Sequence, residues 1–230
     1  MRRILLQDRM SISKQLSFLF LFTMLLGGCS NQYGGYGSVS SPNDPLFKNY
    51  NFVDNAETNT EIPASPDEIE LFNLDGEKVP LSDYIGKKKI VLVVTRGNTY
   101  PICPFCSTQT SRYVMLYPRF QSMDVEVLLV YPIQTPFARD GIDVFLKKSQ
   151  KDHSWSMEKS ELPVLVDAEL SLVTYLGIQE DLSKPSTYVF NEEGEITFAY
   201  VGKNMTDRPS VQSVLDHLKT LAKNEEPTAE

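Results

Sequence analysis

Strand-like and helix-like segments alternate along residues 67–225, which predicts an α/β domain with a central mixed sheet flanked by helices. Three observations carry this. Lys89–Thr95 (KIVLVVT) and Val125–Val130 (VEVLLV) are β-branched runs with the near-continuous apolar character of strands buried on both faces. Helix-like segments separate the strands, and those at 140–151 and near the C-terminus show helical apolar spacing. Two final strands are joined through Glu193-Gly194, and they add antiparallel pairing at one side.

The elements follow in order. Ile69–Asn73 and Lys78–Val79 flank Asp75-Gly76, a hairpin signal. After the KIVLVVT strand, Pro104 to about Tyr117 reads as a helix that Pro118 ends or kinks. After VEVLLV, Asp140–Lys151 reads as a helix with Ile142, Phe145 and Leu146 on one face. Val164–Asp167 is a short strand, and Ala168–Leu176 a helix stopped by Gly177. Thr187–Asn191 and Ile196–Val201 form the last hairpin. A closing helix from near Asp207 aligns Val211, Val214, Leu215, Leu218 and Leu221. A domain of this length, about 160 residues, is enough to bury a sizeable core.

The chain has 230 residues, 41% hydrophobic and 23% charged, with a formal charge of −8. That acidity argues against a nucleic-acid partner, because the phosphate backbone would repel it. No apolar run reaches the roughly 20 residues of a membrane-spanning helix.

Residues 1–28 read instead as a secretory signal. Arg2, Arg3, Arg9 and Lys14 precede an 11-residue apolar stretch, Leu16–Leu26, too short to cross a bilayer. Leu26-Gly27-Gly28-Cys29 resembles the bacterial lipobox. That resemblance implies cleavage before Cys29, acylation of its sulfur and stable anchoring by two or more chains. It implies a place in the bacterial cell envelope, extracytoplasmic, and in a Gram-negative source Ser30 in place of aspartate mildly favours the outer membrane. An ordinary signal peptide with a chance cysteine, or an apolar helix in the core, is the alternative. Losing four basic residues and one acidic residue with the leader takes the charge from −8 to −11.

From residue 29 to 66 the chain is rich in Gly, Ser, Asn, Pro and Thr without apolar periodicity, the composition of a flexible tether. Tyr33, Tyr36, Phe47, Tyr50 and Phe52 could instead form a docking segment. Residues 226–230 are a polar tail.

With Cys29 assigned to lipid, two thiols remain, in Ile102-Cys103-Pro104-Phe105-Cys106. They follow the KIVLVVT strand and its loop and open a predicted helix. Two cysteines three apart on a first helical turn can close a disulfide with little backbone movement. Free N–H groups and the positive helix end would lower the Cys103 pKa. Cys103 is then the attacking thiol and Cys106 the resolving one, with Pro104 stiffening the turn between them. No cofactor is implied beyond the Cys103–Cys106 disulfide itself. Half a zinc site is one alternative, although no second ligand pair at matched spacing exists. A purely structural disulfide is another, weakened because so short a loop gains little from closure.

Strand–loop–CPFC–helix, followed by Lys184-Pro185-Ser186-Thr187-Tyr188 leading into a hairpin, resembles the thioredoxin superfamily. The opening IELFNLDGEKVPLSDYIG resembles its peroxiredoxin-like redoxin branch. The resemblance covers about residues 67–223. It implies a thioredoxin-like fold and a cis-proline at Pro185 opposite the dithiol, and it makes Pro185, Lys184, Pro104 and Phe105 substrate-binding residues. It also implies clients with disulfides or thiols and an upstream thiol donor or acceptor. There are departures: Ile102 stands where thioredoxins usually carry Trp, and Gly97 where they carry a buried acid. Tyr100 and Arg96 stand where peroxiredoxins carry Thr or Ser and Pro. The expected function is lipid-anchored thiol–disulfide exchange. The alternatives are a thiol peroxidase on the same fold and a non-catalytic binding lipoprotein.

Overall fold

The computed structural model describes residues 50, 52–134, 140–151 and 161–225. The leader, Cys29, most of the tether, His153, Trp155 and the tail lie outside them.

Seven strands make one sheet: β1 Glu70–Phe72, β2 Lys78–Pro80, β3 Lys89–Val94, β4 Val125–Pro132, β5 Val164–Asp167, β6 Ser186–Phe190 and β7 Ile196–Val201. Their order is β2-β1-β5-β4-β3-β6-β7. The three central strands run parallel, with β3 beside β4 and β4 beside β5. Antiparallel pairs close both edges, the first hairpin at one side and β6-β7 at the other. The helices are α1 Pro104–Gln121, α2 Asp140–Lys151, α3 Ser171–Tyr175 and α4 Val211–Glu225.

The apolar runs of β3 and β4 are explained by burial on both faces. Val91 and Val93 join Val127 and Leu129 in one core, beneath Tyr113 and Phe120 of α1, Phe145 of α2 and Leu215 of α4. Ile90, Leu92 and Val94 join Leu128 and Val130 in the opposite core, against Leu81, Leu172 and Val173. Each such side chain adds roughly 1.5–3 kcal/mol of burial.

Three expectations are corrected. Helix α1 passes through Pro118 to Gln121. Pro118 is exposed, so water can satisfy the carbonyl it leaves unpaired, while buried Tyr117 and Phe120 pin the last turn to the core. Helix α3 starts at Ser171 and not Ala168, because Leu170 is left-handed (φ 57°) and Asp167 accepts the N–H groups of Ser171 and Val173. Helix α4 starts at Val211, capped by the Ser210 hydroxyl, which accepts the Ser213 N–H.

Residues 52–59, which composition places in the tether, also pack on the domain. Phe52 is buried, and Val53 forms a parallel bridge with Pro209. Asn59 lies along β7: its N–H donates to Ala199 O, and its side chain bonds both the N–H and the carbonyl of Val201. The open edge of β7 supplies the backbone partners that a free tether lacks, so a polar segment is held there.

Candidate active site

The site lies beyond the carboxyl ends of β3 and β4, where ligands commonly bind in sheets with parallel centres. Cys103 is the N-cap of α1, and Pro104 occupies the first helical turn, where its missing N–H costs nothing. The Cys106 N–H donates to Cys103 Sγ at 3.4 Å. Lys148 of α2 donates to the Ile102 carbonyl at 3.3 Å and anchors the incoming loop.

Both cysteines are free thiols. Cys103 is 3% exposed and borders a cleft of about 800 Å³; Cys106 is 1% exposed and lies behind it. Arg96, Asn98, Thr99, Tyr100, Pro104 and Met205 also line the cleft, and Tyr100 is 98% exposed at the rim. The Thr99 hydroxyl donates to Pro101 O, within its own loop.

Arg208 is the residue that sequence reasoning missed. Its guanidinium is completely buried, and Nη1 and Nη2 lie 3.6 and 3.7 Å from Cys106 Sγ. The same two nitrogens also donate to Gln109 Oε1 at 2.8 Å and to Met205 O at 2.7 Å, whereas buried Nε has no hydrogen-bond partner among the described residues. The Arg96 N–H also donates to Cys106 Sγ, at 3.4 Å.

The charge therefore sits elsewhere than expected. Burial opposes ionisation of Cys106, but the Cys103 thiol, the Arg208 charge and the Arg96 N–H outweigh it and hold its pKa at about 5. The hydrogen bond to Cys106, with burial behind it, pushes the Cys103 thiol up instead. The helix start does bond Cys103 as predicted, yet a full guanidinium beside Cys106 is the stronger field. The two sulfurs titrate as a pair sharing one proton, with the anion on the inner one.

Gly97 stands where thioredoxins carry a buried acid, and its surroundings admit no side chain. Its φ is +81°, and a Cβ there would lie 2.2 Å from the Pro132 carbonyl oxygen.

The other expected site residues separate. Pro104 lines the cleft, whereas Phe105, Lys184 and Pro185 are not among its lining residues. The Phe105 ring meets Tyr50 edge-on at 4.3 Å. The Lys184–Pro185 bond is trans, because Tyr100–Pro101 is the only cis peptide among the described residues. The Pro185 carbonyl accepts the Gly202 N–H at 2.8 Å. The cis-proline assignment of Pro185 is therefore corrected: its bond is trans, and its carbonyl is engaged within the fold at the end of the β6-β7 hairpin.

Fold and site together define the redoxin class, thiol-based redox proteins built on a thioredoxin-like sheet. A family model described as the AhpC/TSA family matches residues 62–199, and the chain belongs to that family. A thiol peroxidase of Listeria innocua is 25% identical over 168 residues, 70% of this chain and 90% of the relative. Yeast mitochondrial 1-Cys peroxiredoxin superposes with a TM-score of 0.60 at 15% identity, covering 73% of this chain and 79% of that one. The structure of MTB dsbF gives a TM-score of 0.50 at 16% identity, covering 69% and 98%.

Proposed function

We propose that this protein is a lipid-anchored, extracytoplasmic thiol–disulfide oxidoreductase that exchanges disulfides with client proteins through Cys103 and Cys106. The observation that carries this is the layering of the site. One sulfur borders a cleft large enough for a peptide segment, and the second waits behind it against a buried cation. The exposed Tyr100 and Met205 give the rim apolar surface for such a segment.

The chemistry follows from one shared proton. Cys103 passes its proton to the Cys106 thiolate across the hydrogen bond between them, and the freed Cys103 sulfur attacks a client disulfide. A Cys103–client bond forms, the client bond breaks, and the departing thiolate takes the proton now on Cys106. The Cys106 thiolate, held by Arg208, then attacks Cys103 Sγ and expels the second client thiolate. Two electrons have passed to the client, a Cys103–Cys106 disulfide remains, and an upstream thiol donor re-reduces it.

Peroxide reduction is the second reading, favoured by the family match and by the Arg208 charge beside the dithiol. Reduced protein mixed with a disulfide-bonded protein such as insulin, and separately with hydrogen peroxide in stopped flow, separates the two. Exchange that depends on Cys103, with slow peroxide loss, is expected. Rapid peroxide consumption without exchange would replace the first reading with the second. For the anchor, Cys29→Ser should move the protein from the membrane to the soluble fraction, and unchanged membrane retention would refute the lipid assignment.

The shared proton also has a pH signature. A thiol whose pKa is depressed to about 5 is ionised above that value and neutral below it, so exchange should fail as pH drops through about 5. Above it, reduction of the disulfide takes up one proton with two electrons, so the midpoint potential should fall by about 30 mV per pH unit, against about 59 mV for a dithiol that holds both protons. A slope near the larger value at pH 7 would show that no thiolate is stabilised.

A further inference from the structure

The segment ahead of β1 does more than close the β7 edge. Its first residues reach the redox site from two directions. The Tyr50 ring packs on Phe105, between the two cysteines. The Val53 N–H donates to the Arg208 carbonyl at 2.8 Å, and the Ser210 N–H donates back to the Val53 carbonyl at 2.8 Å. Phe52, 5% exposed, places its ring 6.0 Å from the Arg208 guanidinium carbon and 4.7 Å from that of Arg112. Farther along, the Ala56 N–H donates to the Ser213 hydroxyl, and the Ala199 N–H to the Thr58 hydroxyl. The backbone of Arg208 is therefore fixed by the segment, while the Phe52 ring lies over one side of its buried guanidinium.

We propose that Tyr50 and residues 52–59 form a strap built into the redox site, with Phe52 a positioning residue that holds Arg208 against Cys106. The inference rests on the dithiol reading given above and adds its regulation: docking of residues 52–59 on the loop before α4 sets the reactivity of the sulfurs. A guanidinium stripped of water exerts a stronger field than a hydrated one, and a face-on ring holds it without competing for its hydrogen bonds. Lifting the strap would let water reach Arg208 and free its backbone to drift from Cys106. Among the described residues, the groups facing the dithiol and its cation are few. They are Arg208 from the loop before α4, the Arg96 backbone after β3, Tyr131 of β4 and Tyr113 of α1, with Asp54 of the strap beside Arg112. Both tyrosines are held above their usual range by burial, so neither competes with the thiols near neutral pH.

The test compares the full chain with Phe52→Ala, Phe52→Tyr and Val53→Pro, titrating thiolate absorbance at 240 nm and measuring the disulfide equilibrium against glutathione. Phe52→Ala and Val53→Pro should raise the thiolate midpoint by about one unit, a tenfold loss of thiolate below it. The same factor should move the glutathione equilibrium about tenfold toward the disulfide, because the reduced form loses its stabilised anion. Phe52→Tyr should keep the wild-type values. Leu172→Ala, in the opposite core, should lower stability and leave both readouts alone. Folded strap variants with a wild-type midpoint and equilibrium overturn the proposal while sparing the dithiol reading. A wild-type protein with no thiolate below pH 8 overturns both.

Discussion

Arg208→Met should cut disulfide exchange at pH 6 by roughly a hundredfold, and raising the pH to 9 should restore most of it. An opposite charge within about 4–6 Å shifts a pKa by roughly 1–3 units. Here the guanidinium is 3.6 Å from Cys106 Sγ in a fully buried setting. With the cation removed, burial is opposed only by neutral hydrogen bonds, and the midpoint climbs from about 5 past neutrality. Recovery at high pH marks the defect as lost ionisation, since a misfolded site would gain nothing from alkali. The substitution also strips partners from Gln109 and the Met205 carbonyl, at a cost of about 1–3 kcal/mol. Arg208→Lys should fall between the two. It keeps the charge but cannot span Cys106, Gln109 and Met205 from one planar fork. Exchange rates across pH for the three proteins make the comparison.

Gly97→Ala is the second large effect, and it acts on the scaffold. A left-handed φ of +81° already disfavours a side chain, and the new methyl carbon would lie 2.2 Å from the Pro132 carbonyl oxygen, which is backbone at the end of β4 and cannot swing aside. The two penalties together should cost about 3–5 kcal/mol, roughly 10 °C in Tm for a domain of this size. Gly86→Ala is the matched control: φ is +78°, but nothing lies within 4 Å of the added carbon. Its loss should be only about 1–2 kcal/mol, the backbone penalty alone. Equal losses at the two glycines in thermal unfolding would mean the Pro132 contact carries no energy. Because Gly97 follows the Arg96 N–H that bonds Cys106, the Ala variant should also slow exchange.

Much of this site was legible because its parts are close in the chain. The buried strand, the loop and the CPFC turn fall within 18 residues, and their signals are local: β-branched runs, a proline in the first helical turn and thiols one turn apart. Arg208 was not legible. It comes 102 residues after Cys106, in an Asp-Arg-Pro loop that reads like any solvated turn, and only the fold brings it to the sulfur. Without it, the helix start was the sole visible source of positive field, and so the thiolate was placed on Cys103. The strap was missed for a related reason. Averaged composition described residues 29–66 as unable to bury surface, whereas Phe52 and Val53 dock on Arg208 and Pro209 in the loop before α4, and Asn59 docks on the edge of β7. Pro185 was placed by resemblance to a motif whose backbone geometry a sequence does not encode, and its trans bond breaks the match. Gly97 looked like a missing acid, but the close Pro132 carbonyl shows that the position excludes any side chain.

The central claim concerns which sulfur meets the client. Single Cys103→Ser and Cys106→Ser variants, incubated with a disulfide-bonded protein and quenched with acid, should be resolved by non-reducing mass spectrometry. Cys106→Ser should accumulate a mixed disulfide through Cys103, while Cys103→Ser should accumulate none, its remaining thiol being walled off behind the helix start. A mixed disulfide through Cys106, or equal capture by both variants, would contradict the account.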